Sequence, residues 1–184
     1  MKPFASIRKA ALIAFLVAAA AYGSPARAEY FAGIGTGFRT RDQSLNGLGL
    51  NRVDSFAVGH LWDEWSAAAE LNEIRNESGA GNTLVTSRQL EATLWVRKHL
   101  VPHFWHPFVA LGLGGQQERV ETHFAGTVTG NQGETTRMMG LSLGVQGAGA
   151  EDGVGFIVEF RYLNGSGFRT LTLYETVSRL TFRF

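Results

Sequence analysis

The chain has 184 residues, with 17 Lys and Arg against 16 Asp and Glu for a formal net charge of +1, 23 glycines, four prolines and no cysteine. Absence of cysteine excludes a disulfide framework, thiol chemistry and cysteine-ligated zinc, and so even a charge balance gives no footing for nucleic acid. Charged residues make up only 18% of the chain, and the glycines alternate with apolar residues instead of clustering in linkers.

The N-terminal stretch MKPFASIRKAALIAFLVAAAAYGSPARAEY sets Lys2, Arg8 and Lys9 before an apolar run from Ala10 to about Tyr22. Gly23, Pro25 and the small-x-small site Ala26-Arg27-Ala28 follow. Basic region, short apolar core and cleavage site together describe a secretory signal peptide. The run falls short of the ~20 apolar residues of a spanning helix. The expectation is cleavage after Ala28, with residues 29–184 forming one domain. Lys2, Arg8, Lys9 and Arg27 leave with the signal and no acid does, so the mature chain is net acidic.

From Tyr30 onward the chain reads as eight segments of period two. In the first, Tyr30, Ala32, Ile34, Thr36 and Phe38 share one face, and Gly33, Gly35 and Gly37 the other. Phe56, Val58 and His60 then oppose Ala57 and Gly59; Trp65, Ala67, Ala69 and Leu71 oppose Ser66, Ala68, Glu70 and Asn72. Leu90, Ala92, Leu94 and Val96 oppose Glu91, Thr93, Trp95 and Arg97; Val109, Leu111 and Leu113 oppose Ala110, Gly112 and Gly114. Met139, Leu141, Leu143 and Val145 oppose Gly140, Ser142, Gly144 and Gln146; Val154, Phe156, Val158, Phe160 and Tyr162 oppose Gly155, Ile157, Glu159 and Arg161. The closing VSRLTFRF sets Ser178, Leu180, Phe182 and Phe184 against Val177, Arg179, Thr181 and Arg183. Such runs are strands.

Alternation alone also fits a soluble sandwich with one face on its core. Here the second face is mostly glycine, serine and other small residues, with sparse charges at Glu70, Glu91, Arg97, Glu159, Arg161 and Arg179. A narrow barrel interior calls for that mixture, small residues and mutually satisfied ions. The connectors alternate in length: Trp62 to Trp65 and Ala148 to Gly153 are tight, while Thr40 to Asn51, Glu73 to Ser87 and Gln116 to Thr135 read as long polar loops. Short turns at one end, long loops at the other and aromatic residues at segment ends (Tyr30, Phe38, Trp62, Trp65, Phe108, Tyr162) indicate an all-β fold, an eight-stranded antiparallel up-and-down transmembrane β-barrel. Counting from the short-turn end, Glu159 and Arg179 fall level on neighbouring strands and are expected to pair, with Glu70 joining across the lumen. Leu171 and Leu173 are out of phase with the closing run, which predicts a bulge between them.

The chain at this point resembles the small eight-stranded bacterial outer-membrane β-barrel proteins, the group that includes the outer membrane protein A transmembrane domain. PFVALGLGG (Pro107 to Gly115) is similar to the opening of their fifth strand, and EFRYLNGSG (Glu159 to Gly167) to their seventh. Leu180, Phe182 and Phe184 match the C-terminal signature read by the barrel-assembly machinery. The resemblance implies a Gram-negative outer-membrane location, contact with outer-membrane lipid and lipopolysaccharide, and a monomer.

One member type of such barrels, the lipid A deacylase, carries His-x-Ser-Asn on a late strand and an acid on the last. The corresponding stretch here is Arg161-Tyr162-Leu163-Asn164, with Glu175 where the acid would fall. Arginine cannot act as general base and leucine has no hydroxyl, Ser166 stands three positions too late, and both Arg161 and Glu175 have inward parity. No catalytic residue is therefore assigned. His99, His103 and His106 crowd HLVPHFWHP, but Pro102 and Pro107 oppose a helix and no carboxylate completes a metal site. No phosphate loop or cofactor fingerprint is present, so no cofactor and no metal are expected. The expected function is a structural or surface-interaction barrel with its lumen closed by side chains. A deacylase-like enzyme and a narrow channel for small hydrophobic molecules are the alternatives.

Overall fold

A computed structural model describes residues 29–41, 51–62, 64–100, 105–148, 153–166 and 171–184. The expected export signal, residues 1–28, lies outside them, as does His103. Eight strands follow in order: β1 (Glu29–Arg41), β2 (Asn51–Trp62), β3 (Trp65–Ala80), β4 (Thr83–His99), β5 (Trp105–Phe124), β6 (Thr127–Ala148), β7 (Val154–Ser166) and β8 (Leu171–Arg183). Each pairs antiparallel with the next, and β8 closes on β1. Closure satisfies both edges, which a barrel in hydrocarbon requires. The chain's last residue completes the seam: Phe184 N donates to Tyr30 O at 3.0 Å, and Tyr30 N to Phe184 O at 3.2 Å.

Strand parity puts opposite chemistry on the two sides of the wall. Leu94, Leu111 and Leu113 are each 65% exposed on the outside, and Ile34, Leu141 and Leu143 are comparably open. An apolar belt of this extent around a whole molecule is foreign to water-soluble surfaces. The inside is filled. Where the largest rings enter the lumen, a neighbouring wall residue is a glycine. A Cβ on Gly112 would stand 2.7 Å from the Trp95 ring, and one on Gly144 2.6 Å from Phe108. The glycine face read from the sequence thus makes room for rings inside a tube with little spare width.

Three expectations are corrected. Glu73 to Ser87 and Gln116 to Thr135 are not irregular loops, since β3–β4 and β5–β6 continue as paired hairpins to two-residue turns at 81–82 and 125–126. Gly81 (φ 60°) supplies the positive φ at the first turn position, and Ala125 (47°) with Gly126 (82°) at both positions of the second. The hairpin tips are joined, Ala125 N donating to Asn82 O at 2.9 Å. Second, β7 and β8 pair in unbroken register from Gly165↔Leu171 to Val154↔Phe182, so no bulge separates Leu171 from the closing run. Leu173 keeps the inward phase, buried beside its register partner Leu163. The one register shift between β5 and β6 falls at Thr122/His123, out in the hairpin. Third, Phe108 is no girdle residue; it is 1% exposed inside the lumen, whereas Phe38, Trp62, Trp65 and Tyr162 face outward.

Candidate functional site

The most concentrated chemistry among the described residues is inside the barrel, where four arginines and four glutamates from five strands lie in two connected layers. All eight are at most 2% exposed. In the lower layer, nearer the short turns, Glu70 (β3) and Glu159 (β7) face three guanidiniums. Arg97 Nη2 donates to Glu70 Oε1 at 2.6 Å and its Nε to Glu159 Oε1 at 2.8 Å. Arg161 Nη2 donates to Glu70 Oε2 at 2.6 Å and its Nε to Glu159 Oε2 at 2.8 Å. Arg179 reaches Glu70 at 2.7 Å, Glu159 at 3.0 Å and, through Nε, Ser55 Oγ at 2.8 Å. The expected Glu159–Arg179 contact and the reach of Glu70 across the lumen both occur, although the two strands are offset from the count: Glu159 is opposite Val177, and Arg179, opposite Ile157, meets it diagonally.

The upper layer centres on Arg39 of β1. Its Nη2 donates to Glu91 Oε2 at 2.6 Å, its Nε to Glu175 Oε2 at 2.7 Å and its Nη1 to Gln116 Oε1 at 3.3 Å. Asn72 Nδ2 donates to Glu91 Oε1 at 2.9 Å. Glu91 therefore sits apart from the lower ions, while Arg161 joins the layers through Nη1 and Glu175 Oε1 at 3.2 Å. Four positive and four negative groups cancel. Neutrality matters, because an uncompensated ion in a dry interior costs several kcal/mol even after relaxation. Two guanidiniums also lie over rings: Arg161 is 4.6 Å from the Trp95 centroid and Arg97 5.5 Å from that of Phe108. These rings belong to an apolar cluster with Ala110, Met138, Ile157, Leu163 and Leu173 that shares the lumen with the ions.

Of the six lumenal charges picked from sequence, all six are buried in this network. Arg39 and Gln116 escaped that reading. Arg39 had a usable signal, for it continues the Gly33, Gly35, Gly37 parity by one step. The inward parity of Glu175 is legible in the sequence, but its role as a member of the ion network is not. The structure gives it Arg39 and Arg161 as partners, and Leu163 is buried nearby in the lumen. Leu180 and Phe182 project outward near the short-turn end, and Phe184 is 70% exposed.

His99 is buried with its Nε2 3.2 Å from Ser66 Oγ, and its ring meets those of His106 and Phe108 edge-on. Among the described residues no group of three His, Cys, Asp or Glu is gathered to hold a metal. Outside, at the short-turn end, Lys98 pairs with Glu64 and lies 5.0 Å over the Trp65 ring. That ammonium holds the exposed Glu64 carboxyl below its ordinary pKa.

No protein-family model matches the chain, and no curated relative does either. Solved structures do. Neisserial surface protein A is 15% identical, with a TM-score of 0.64 over 84% of this chain and 97% of that one. Ail, the attachment invasion locus protein of Yersinia pestis, is 11% identical with a TM-score of 0.63, covering 85% of this chain and 98% of that one. A second structure of Ail, in complex with the heparin analogue sucrose octasulfate, gives 10% identity and a TM-score of 0.63. At such identities the likeness is one of fold, and that fold is the small eight-stranded outer-membrane barrel.

Proposed function

We propose that the protein is a Gram-negative outer-membrane barrel with a structural or surface-interaction role, and that it is neither a pore for bulk solutes nor an enzyme. One observation carries the reading. The outward face of the strands is exposed hydrocarbon at mid-height, while the lumen behind it is closed by eight buried, mutually paired ions. A wall of that kind is stable only between lipid and a packed interior. Arg161 supports the non-enzymatic reading: its guanidinium is committed to Glu70, Glu159 and Glu175.

Residues 1–28 are read as the export signal, cleaved after Ala28. Leu180, Phe182 and Phe184 are read as the address for the barrel-assembly machinery, with the seam between Phe184 and Tyr30 as its structural counterpart. The paired β3–β4 and β5–β6 hairpins project past the apolar belt and are the surface offered to the outside. The barrel works as a monomer, since its closed ladder leaves no sheet edge for a second copy.

Outer-membrane fractionation with unboiled and boiled gel migration tests this directly. A faster-migrating unboiled band in the outer-membrane fraction is expected, and recovery as a water-soluble monomer would refute it. In planar bilayers no sustained conductance is expected, and lipid A from overexpressing cells should keep its acyl chains.

A further inference from the structure

The short-turn end of the lumen, below the lower ion layer, gathers polar atoms that the network leaves over. Among the described residues, Arg97 Nη1, His99 Nδ1, Gln146 Oε1 and Thr181 Oγ1 are buried with no hydrogen-bond partner. The four residues are at most 6% exposed. They come from three strands that all run toward the short turns. His99 ends β4, with Arg97 one inward step above it; Gln146 stands two residues before the end of β6, and Thr181 two before the end of β8. Ser66, the second residue of β3, joins them, its Oγ 3.2 Å from His99 Nε2. A buried polar atom left unpaired costs its full desolvation, so four at one end of the lumen point to a ligand.

Charge gives the sign of that ligand. In the lower layer three arginines, Arg97, Arg161 and Arg179, meet two carboxylates, Glu70 and Glu159. The balancing carboxylates lie in the upper layer, where Glu91 and Glu175 face Arg39 and Arg161 spans the gap. The lower end of the lumen therefore carries the positive excess. The left-over atoms are also donors. Arg97 Nη1 has only N–H groups to offer. With Ser66 Oγ donating to His99 Nε2, the ring proton sits on Nδ1, which then donates as well. Thr181 adds a hydroxyl, and half a turn of the Gln146 amide presents Nε2 in place of Oε1.

Size follows from the edge of Arg97 that is already spent. Its Nε and Nη2, the fork that grips an oxyanion through two oxygens at once, are bound to Glu159 and Glu70. Single donors from several side chains suit one spherical ion instead. Apolar side chains close round this end: Phe31, Phe108 and Ile157 are each at most 3% exposed, and Arg97 lies 5.5 Å from the Phe108 centroid. There a fixed donor acts with little competition from water. We propose that Arg97, His99, Gln146 and Thr181 bind a small monovalent anion, chloride, at the short-turn end of the lumen. The ion sits beneath the paired charges and leaves the barrel closed.

Urea unfolding of the full protein in lipid vesicles tests it, with sodium sulfate replaced stepwise by sodium chloride at constant ionic strength. Sulfate strengthens burial generally, so without a site the exchange lowers stability. Wild type should gain instead: between no chloride and about 0.3 M its unfolding constant at fixed urea should fall about threefold. T181V/Q146L, which removes two donors and keeps the volume, should lose that gain and follow the general trend. Lys98→Gln, which removes an ammonium outside the wall at the same end, should respond as wild type does. Bromide should act in place of chloride, and gluconate should not. The proposal is overturned if wild type is less stable in chloride than in sulfate, or if gluconate serves as well as chloride. A gain kept by T181V/Q146L, or lost in K98Q, also overturns it, because the ion is then bound elsewhere. Boiled and unboiled gels run on the same samples report folding. If the double variant does not fold, Thr181→Val alone should show no more than about half the wild-type gain, and a full gain there overturns the site.

Discussion

Arg161 and Glu175 are register partners on β7 and β8, and the bond from Arg161 Nη1 to Glu175 Oε1 at 3.2 Å is the link between the two ionic layers of the lumen. Through it Arg39, at one height, and Arg97 and Arg179, at another, belong to a single neutral cluster. A closed network of this kind is sensitive to loss of any one member, since the remaining partners stay buried.

Glu70 accepts from Arg97, Arg161 and Arg179. Glu70→Gln leaves three guanidiniums to share Glu159 and should destabilise the folded barrel by about 3–5 kcal/mol. Glu73→Gln, which removes a partly exposed carboxylate outside the wall, should cost less than about 1 kcal/mol. Urea unfolding in lipid vesicles measures both. Equal effects would mean that the lumen is wet and its ions screened.

Gly35→Ala should abolish the heat-modifiable band, because the added Cβ would lie 2.0 Å from Ser178 O and 2.7 Å from Arg179 Cα. Both are backbone atoms of the neighbouring strand, so no rotamer change relieves the clash, and Arg179 would be carried out of the network. Gly115→Ala meets nothing closer than Thr136 O at 3.6 Å and should change stability by no more than about 0.5 kcal/mol. The folded fraction on unboiled gels separates the two.

Position along the wall should grade the cost of an outward charge. Leu111→Arg, at mid-belt, is expected to cost about 2–4 kcal/mol, and Leu84→Arg, out in the β3–β4 hairpin, about 0–1 kcal/mol. Unfolding free energies in vesicles check the difference. Similar costs at both sites would place the lipid boundary elsewhere.

What the sequence made legible and what it hid have separate physical causes. Within the belt, the two faces meet different surroundings, so residues such as Leu111 and Gly112 alternate and the strand declares itself. Beyond the belt both faces are polar, and segments such as Glu73 to Ser87 lose the alternation while keeping their ladder; they read as loops. Leu173 misled for the opposite reason. Part of the lumen is apolar, so an inward leucine next to Leu163 looked like a change of phase. Arg39 was passed over because the polar run after Phe38 hid its place in the glycine parity.

The chain has no cysteine, so single-cysteine spin labels at Leu94, Leu111 and Leu141 report the outward face without background. In reconstituted bilayers, collision with oxygen should be frequent and collision with a water-soluble nickel chelate rare at all three, with the reverse at Leu84 in the hairpin. Frequent nickel collision at Leu94, Leu111 and Leu141 would put that face in water. Silence toward both reagents would put it in a dry protein core, and either result would contradict a barrel whose outer wall meets lipid.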